Sequence, residues 1–210
     1  IRYISYSELF QIADQGARVI HPRAVEIAMN AGIPILIKNT LSDSPGTMIS
    51  SRIERKQQAK SRRAEQLITS IAHITGRTQI SIDTEQGLEE QDDILQRLAD
   101  NHISIDIINI FPKKMVFTIE GNLTEKAMKI LGDYSNTCSV IENCSKISAV
   151  GERMRGVPGV MSRIIRALTA RRIDVLQTSD SHTTISCLVR GEDTIPAVLA
   201  LHEEFKLYMQ

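Results

Sequence analysis

Two glycines stand where backbone amides can hold an anion. Gly159 lies in Val157-Pro158-Gly159-Val160, and Gly87 in Gln86-Gly87-Leu88-Glu89. Each closes a loop that leads from a strand-like run into a helix-like one. At a helix start the unpaired N–H groups and the dipole favour a carboxylate, and glycine lets the backbone come close to it. Asp83, Asp106 and Asp174 are carboxylates placed to take an ammonium group. An anion site beside a cation site is what a free amino acid needs. The same residues also have a plainer use, glycine shaping turns and aspartate capping helices or facing water. Spacing alone leaves both uses open.

Other reactive groups are dispersed. Cys138, Cys144 and Cys187 are odd in number and lack C-x-x-C spacing, which fits reduced thiols in a cytoplasmic protein. His21, His73, His102, His182 and His202 are scattered and read as packing or surface residues, so neither a metal site nor a catalytic residue is expected. Formal net charge is zero, which advertises no nucleic-acid partner. The basic run from Ser51 to Arg63 lacks interleaved aromatics and reads as a solvated linker. An RNA-binding sheet would need exposed aromatics, and Lys114 to Ile119 with Thr183 to Val189 offer only Phe117. No apolar run reaches the roughly 18 residues of a membrane span, and there is no secretory h-region. No membrane partner is expected.

The elements that position the glycines recur. Lys146 to Val150 reads as a strand, Gly156 to Gly159 as a turn, and the next helix carries Ile164, Ile165 and Leu168 on one face. Strand-like runs Ile173–Thr178 and Thr183–Val189 follow, then a helix from Thr194 to Glu203 and a short last strand from Phe205 to Met209. A shift of 70 residues aligns Ile94 with Ile164, Leu98 with Leu168, Ile103 with Ile173, Gly121 with Gly191, Thr124 with Thr194 and Leu131 with Leu201. The earlier copy has strands Thr78–Ile82, Ile103–Ile110, Lys114–Glu120 and Thr137–Ile141, and helices from Glu89 to His102 and after Asn122 or Thr124 as cap. The expected fold is α+β, with two tandem ferredoxin-like βαββαβ units. With 42% hydrophobic content the chain can bury their cores.

Ahead of them, Ser5 or Ser7 caps a helix through Leu9 and Ile12, Pro22 opens a second, Gly32 stops it, and Ile33 to Ile37 is a strand. These residues hold too few elements for a domain and read as the end of a larger α/β domain, so the chain reads as a fragment. The expected division is 1–50 remnant, 51–66 polar linker, 67–143 first unit and 144–210 second unit. Leu67 to Ile74 is a further β-prone run.

Gly16-Ala17-Arg18-Val19-Ile20-His21-Pro22-Arg23-Ala24-Val25-Glu26 resembles the segment that closes the kinase domain of aspartokinases. The duplicated units resemble that family's paired ACT domains. Asp180-Ser181-His182-Thr183-Thr184-Ile185 is similar to its diaminopimelate-sensitive members in Gram-positive bacteria. The resemblance implies a regulatory region for ATP-dependent phosphorylation of aspartate, inactive alone and lacking the catalytic residues. It implies Arg18 and Val19 at the parent's ATP site, with arginine where the family usually has lysine. It implies an amino-acid effector, diaminopimelate or else lysine or threonine. The effector contacts carried over are Gly87, Leu88, Glu89, Asp106, Ile107 and Asn109 in the first unit. In the second they are Val157, Pro158, Gly159, Asp174, Val175 and Ser181. The first unit departs from the family in lacking proline-glycine in its loop. A homodimer through the ACT domains and a kinase domain on the N-terminal side are the other partners expected. A free-standing ACT sensor is the rival reading, which Ile1 to Ile49 argues against.

Overall fold

The computed structural model describes residues 1–51, 67–151, 154 and 157–209. Strand β1 (Tyr3–Ser5) runs directly into helix α1 (Tyr6–Asp14). Ser5 and Glu8 cap that helix reciprocally. The Glu8 amide donates to the Ser5 hydroxyl and the Ser5 amide to the Glu8 carboxylate, each at 3.1 Å, which satisfies two otherwise unpaired donors. Pro22 opens α2 (Pro22–Ala31), where its missing N–H is not needed, and Gly32 ends it at φ 65°. Strands β2 (Ile35–Ile37) and β3 (Thr47–Ser50) complete a small sheet of order β1-β3-β2. The basic residues of the expected linker, from Arg52 to Arg63, lie outside the described residues.

The two units contribute strands β4 (Ser70–Asp83), β5 (Ile107–Phe111), β6 (Lys114–Glu120), β7 (Cys138–Val150), β8 (Gln177–Asp180) and β9 (Thr184–Arg190). Their helices are α3 (Leu88–Asp100), α4 (Thr124–Ile130), α5 (Val160–Ala170) and α6 (Thr194–Glu204). The repeat extends to local detail. After α3 and α5 the chain turns through left-handed His102 (φ 55°) and Arg172 (φ 57°). The amides of Ile103 and Ile173 then donate back to the carbonyls of Leu98 and Leu168. Those bonds carry Ile103 and Ile173 into the cores, so β5 and β8 start later than the apolar runs suggest. Thr124 is the first helical residue rather than a cap. Its hydroxyl lies 2.8 Å from both the Gly121 carbonyl and the Thr78 hydroxyl, and Thr194 repeats this with Gly191 and Ser145 at 2.6 Å.

The second unit takes its fourth strand from ahead of the first. Ser70–Ile74, from the first of two separate runs in the sequence, and Thr78–Ile82, the second, belong to one strand, β4. Its opening residues, Ser70 to Ile74, pair with Val150 to Lys146 in the second half of β7, next to β9. Residues 77 to 83 pair with β6 and with the first half of β7. Register shifts at Gly76 (φ 68°) and near Asn143 (φ 53°) separate the halves. The sheet therefore runs β5-β6-β4-β7-β9-β8, with β4 and β7 serving both units. The expected last strand, Phe205 to Met209, does not form: Leu207–Met209 is a 3₁₀ turn, and β4 already holds that place in the sheet. Phe205 and Leu207 instead close the second core with Ile68, Ile147, Ile164 and Leu168. The boundary expected at 143/144 falls inside β7.

Directly paired residues share a face of a sheet. Ile80 with Phe117, and Ile147 with Cys187, face the helices. Gln79 with Thr118, and Ser148 with Ser186, face the other way. On that open face the two units meet through polar groups. Gln177 is buried, and its carbonyl accepts from the Gln79 amide at 3.1 Å and the Thr118 hydroxyl at 2.9 Å. Its amide donates to Asn109 Oδ1 at 2.8 Å and to the Val116 carbonyl at 3.1 Å. Both lone pairs and both protons of the side chain are thus used. Beside it, Lys146 Nζ donates to Asp106 at 2.6 Å, with Arg77 Nε 3.6 Å from the same carboxylate.

Cys187 lies inside the second core, where desolvation pushes its thiol up to about 12. The folded state therefore keeps a proton that the unfolded chain releases above about pH 8.5. Stability present below that pH is lost as pH rises toward the folded value, at a slope approaching roughly 1.4 kcal/mol per pH unit. Urea unfolding at pH 7.5, 8.5 and 9.5 is expected to show this decline, and Cys187→Ala to flatten it.

Candidate functional site

A cavity of about 430 Å³ opens where α5 begins and β8 turns into β9. Gly159, Val160 and Met161 form one wall, Asp180, Ser181 and His182 another, and Met154, Val157 and Ile185 supply apolar surface. The turn is fixed by Ser181. Its amide donates to the Thr184 carbonyl at 2.8 Å, and its hydroxyl accepts from the Thr184 amide at 3.1 Å. Gly159 caps α5 with φ 87° and no side-chain acceptor, and the first turn of α5 carries no acid. Its free amides suit a carboxylate, and Asp180 across the cavity suits an ammonium.

Of the second-unit residues expected at an effector site, Val157, Gly159 and Ser181 line this cavity, with exposed Pro158 between the first two. Asp174 and Val175 do not. They precede β8 while the cavity lies beyond its far end, and Val175 packs on the core. The carboxylate at the cavity is Asp180. Asp180, His182, Met154, Val160, Met161 and Ile185 also line the cavity, and the local sequence marks none of them as a ligand contact.

The first unit is built differently at the equivalent corner. Gly87 (φ 67°) lies against Pro112, whose carbonyl is 3.0 Å from where a Cβ would stand. Gln91 ties that corner shut, its amide donating to the Phe111 carbonyl at 2.8 Å and to the Thr84 hydroxyl at 3.1 Å. Leu88 and Glu89 are exposed, and Glu89 and Glu90 put negative charge into the first turn of α3. Asp106 lies at the opposite end of β5 from Gly87, so the two do not meet within one chain. Asp106 is held by Lys146, Asn109 by Gln177, and Ile107 is buried. Arg18 and Val19 are exposed between α1 and α2. Among the described residues no group of three or more His, Cys, Asp or Glu could hold a metal ion, and no helix is long and apolar enough to cross a membrane.

Residues 139–203, from β7 through most of α6 and including the cavity, match the ACT domain family. Across 97% of its length the chain is 45% identical to aspartokinase 1 of Bacillus subtilis, covering 50% of that protein. The chain is thus similar to one half of an aspartokinase, with an ACT domain within that half. Aspartate kinase of Clostridium acetobutylicum superposes on 98% of this chain with a TM-score of 0.84 and 25% identity, over 48% of its own length. Aspartokinase III of E. coli in complex with lysine and aspartate, in its T-state, shares the fold at a TM-score of 0.71 and 20% identity, over 98% of this chain and 46% of that one. The chain thus spans about half the length of these relatives.

Proposed function

We propose that this region binds a free amino acid and passes its presence to an aspartate kinase active site in a domain outside these residues. Residues 1–50 are read as the end of that domain. The cavity at the start of α5 carries the reading, because it sets free helix amides opposite a carboxylate within a space sized for a small zwitterion. The parent reaction, ATP-dependent phosphorylation of aspartate, takes place elsewhere, with Arg18 and Val19 bordering the nucleotide. Within residues 1–50, Val19, Ile27, Ile33, Leu36 and Leu41 expose apolar side chains, Ile27 on α2, Leu36 on β2 and the others in the connections, as a surface that docks on further chain would. The proposed location is the cytoplasm.

Diaminopimelate is the effector we favour, on the likeness of Asp180 to Ile185 to sensitive members of the family. Lysine is the second reading, since the E. coli enzyme of the same fold was solved with it. Calorimetry of the 210-residue chain with diaminopimelate, lysine and threonine is expected to give saturable heat with diaminopimelate. Heat with none of the three would sink the proposal. Asp180→Asn is expected to weaken that binding at least about tenfold, as loss of a charge-assisted contact does.

The proposed assembly is a homodimer. Edge strand β5 exposes Ile108, Ile110 and Phe111, and an open edge invites a second strand. Antiparallel pairing of β5 with its copy would set Asp106 of one chain near Gly87 of the other, joining the two first-unit residues that lie apart within a chain. Sedimentation is expected to give twice the chain mass, and a monomer at all concentrations would remove this assembly. An effector that binds the inhibited arrangement better lowers activity by that differential affinity and no more.

A further inference from the structure

Helix α1, in the segment read as kinase-side, rests on the open face of the second unit through side chains spaced one helical turn apart. The Thr184 hydroxyl donates to Gln11 Oε1 at 3.2 Å, and the Ser148 hydroxyl to Gln15 Oε1 at 2.8 Å. Ser148 also lies 2.9 Å from the Ser186 hydroxyl. Glu8 accepts from the Thr69 hydroxyl on the approach to β4. At the end of the helix Gly16 packs so tightly that a Cβ would stand 2.7 Å from the His73 carbonyl. These contacts hold α1 to β9, β7 and the start of β4.

Thr184 and Ile185 open β9, and consecutive side chains of a strand point to opposite faces. Ile185 lines the cavity. Thr184, buried on the other face, holds Gln11. The residue that positions Thr184 is Ser181, which also lines the cavity and bonds both the amide and the carbonyl of Thr184. From the cavity wall to α1 the connection is therefore two residues long and hydrogen-bonded at each step.

We infer that the Ser181–Thr184–Gln11 connection couples the cavity to α1, so that an occupant displacing the β8–β9 turn changes how firmly α1 is held. The purpose assigned to this coupling rests on the cavity being an effector site. The coupling itself does not, and it works in both directions.

Amide hydrogen exchange of the 210-residue chain tests it without any ligand. Ser181→Ala and Thr184→Val are each expected to speed exchange across Tyr6–Asp14 by at least about fivefold while Leu188 to Arg190 keep their protection. Because both changes break one connection, the double variant should be no faster in α1 than the faster single variant. Ser181→Thr, which keeps the hydroxyl, should retain the protection of the unmodified chain. If Ser181→Ala leaves α1 unchanged, if the two effects multiply, or if Ser181→Thr behaves like Ser181→Ala, the coupling is overturned. Amino-acid binding is read separately by calorimetry, so a chain that bound nothing would remove the proposed function while these exchange results judged the coupling on their own.

Discussion

Gln177→Leu is expected to destabilise the chain by about 3 kcal/mol, because this one side chain of the second unit satisfies four groups of the first. The leucine would strand Asn109 Oδ1, the Thr118 hydroxyl and the Val116 carbonyl where the two units meet, and a buried polar group left unpaired costs roughly 1–3 kcal/mol. Gln79→Met should cost less, about 1 kcal/mol, since it removes only one of the bonds that Gln177 makes. The measurement is the urea midpoint of each variant, read by circular dichroism. A loss below about 1 kcal/mol for Gln177→Leu would mean that water replaces the missing groups and that the two units are not held by this junction.

Gly151→Ala is the second large effect expected. A methyl group there would lie 2.1 Å from the Leu67 carbonyl and 3.0 Å from the Ile68 Cα, both backbone atoms. The chain entering β4 must move away, and it carries Ile68, fully buried in the second core. Forcing backbone apart beside a packed core costs about 3 kcal/mol or more. The damage should be local at first, with amides of residues 68 to 74 and 146 to 150 losing protection before those of β6. Gly132→Ala is the control, since nothing lies within 4 Å of its added methyl, and a change within about 0.5 kcal/mol is expected there. Equal effects from the two substitutions would contradict the close approach at Gly151.

Much of the fold is legible in the residues because it repeats. Paired threonines at 124 and 194, and paired isoleucines at 103 and 173, fill equivalent places in equivalent cores. The start and stop of α2 are equally legible, since Pro22 and Gly32 each suit one position of a helix. What misleads is the end of the chain. Phe205 to Met209 has the composition of a strand, but strand pairing is decided by which edge is vacant, and Ser70 to Ile74 had filled it. Local pattern cannot register a competitor so far away in sequence.

Of the two loop glycines singled out in the sequence, Gly159 lines the cavity and Gly87 does not, and the acid at the cavity is Asp180. A loop glycine before a helix has one conformational reason to be there, as Gly159 shows at φ 87°. An aspartate near a strand suits many roles. Asp106 is held by Lys146 across the junction, and Asp180 stands at the cavity. The open-face network was illegible for a related reason. Gln79, Thr118 and Gln177 alternate with apolar residues as a solvated face would, and nothing local signals that the two units meet there.

The shared strand has a consequence for how the nascent chain assembles. Ser70 to Ile74 leave the ribosome before any of their partners, because Lys146 to Val150 come only after the whole first unit. The first unit can close on itself as soon as β7 emerges, while the second stays open until α6 and the residues after it arrive. Translation from the N-terminus, together with pairing between distant residues, makes the second unit the later and slower one to mature. A premature stop within β9 would thus yield a finished first unit trailing an unpaired strand end, the species that a chaperone would be most needed to shield.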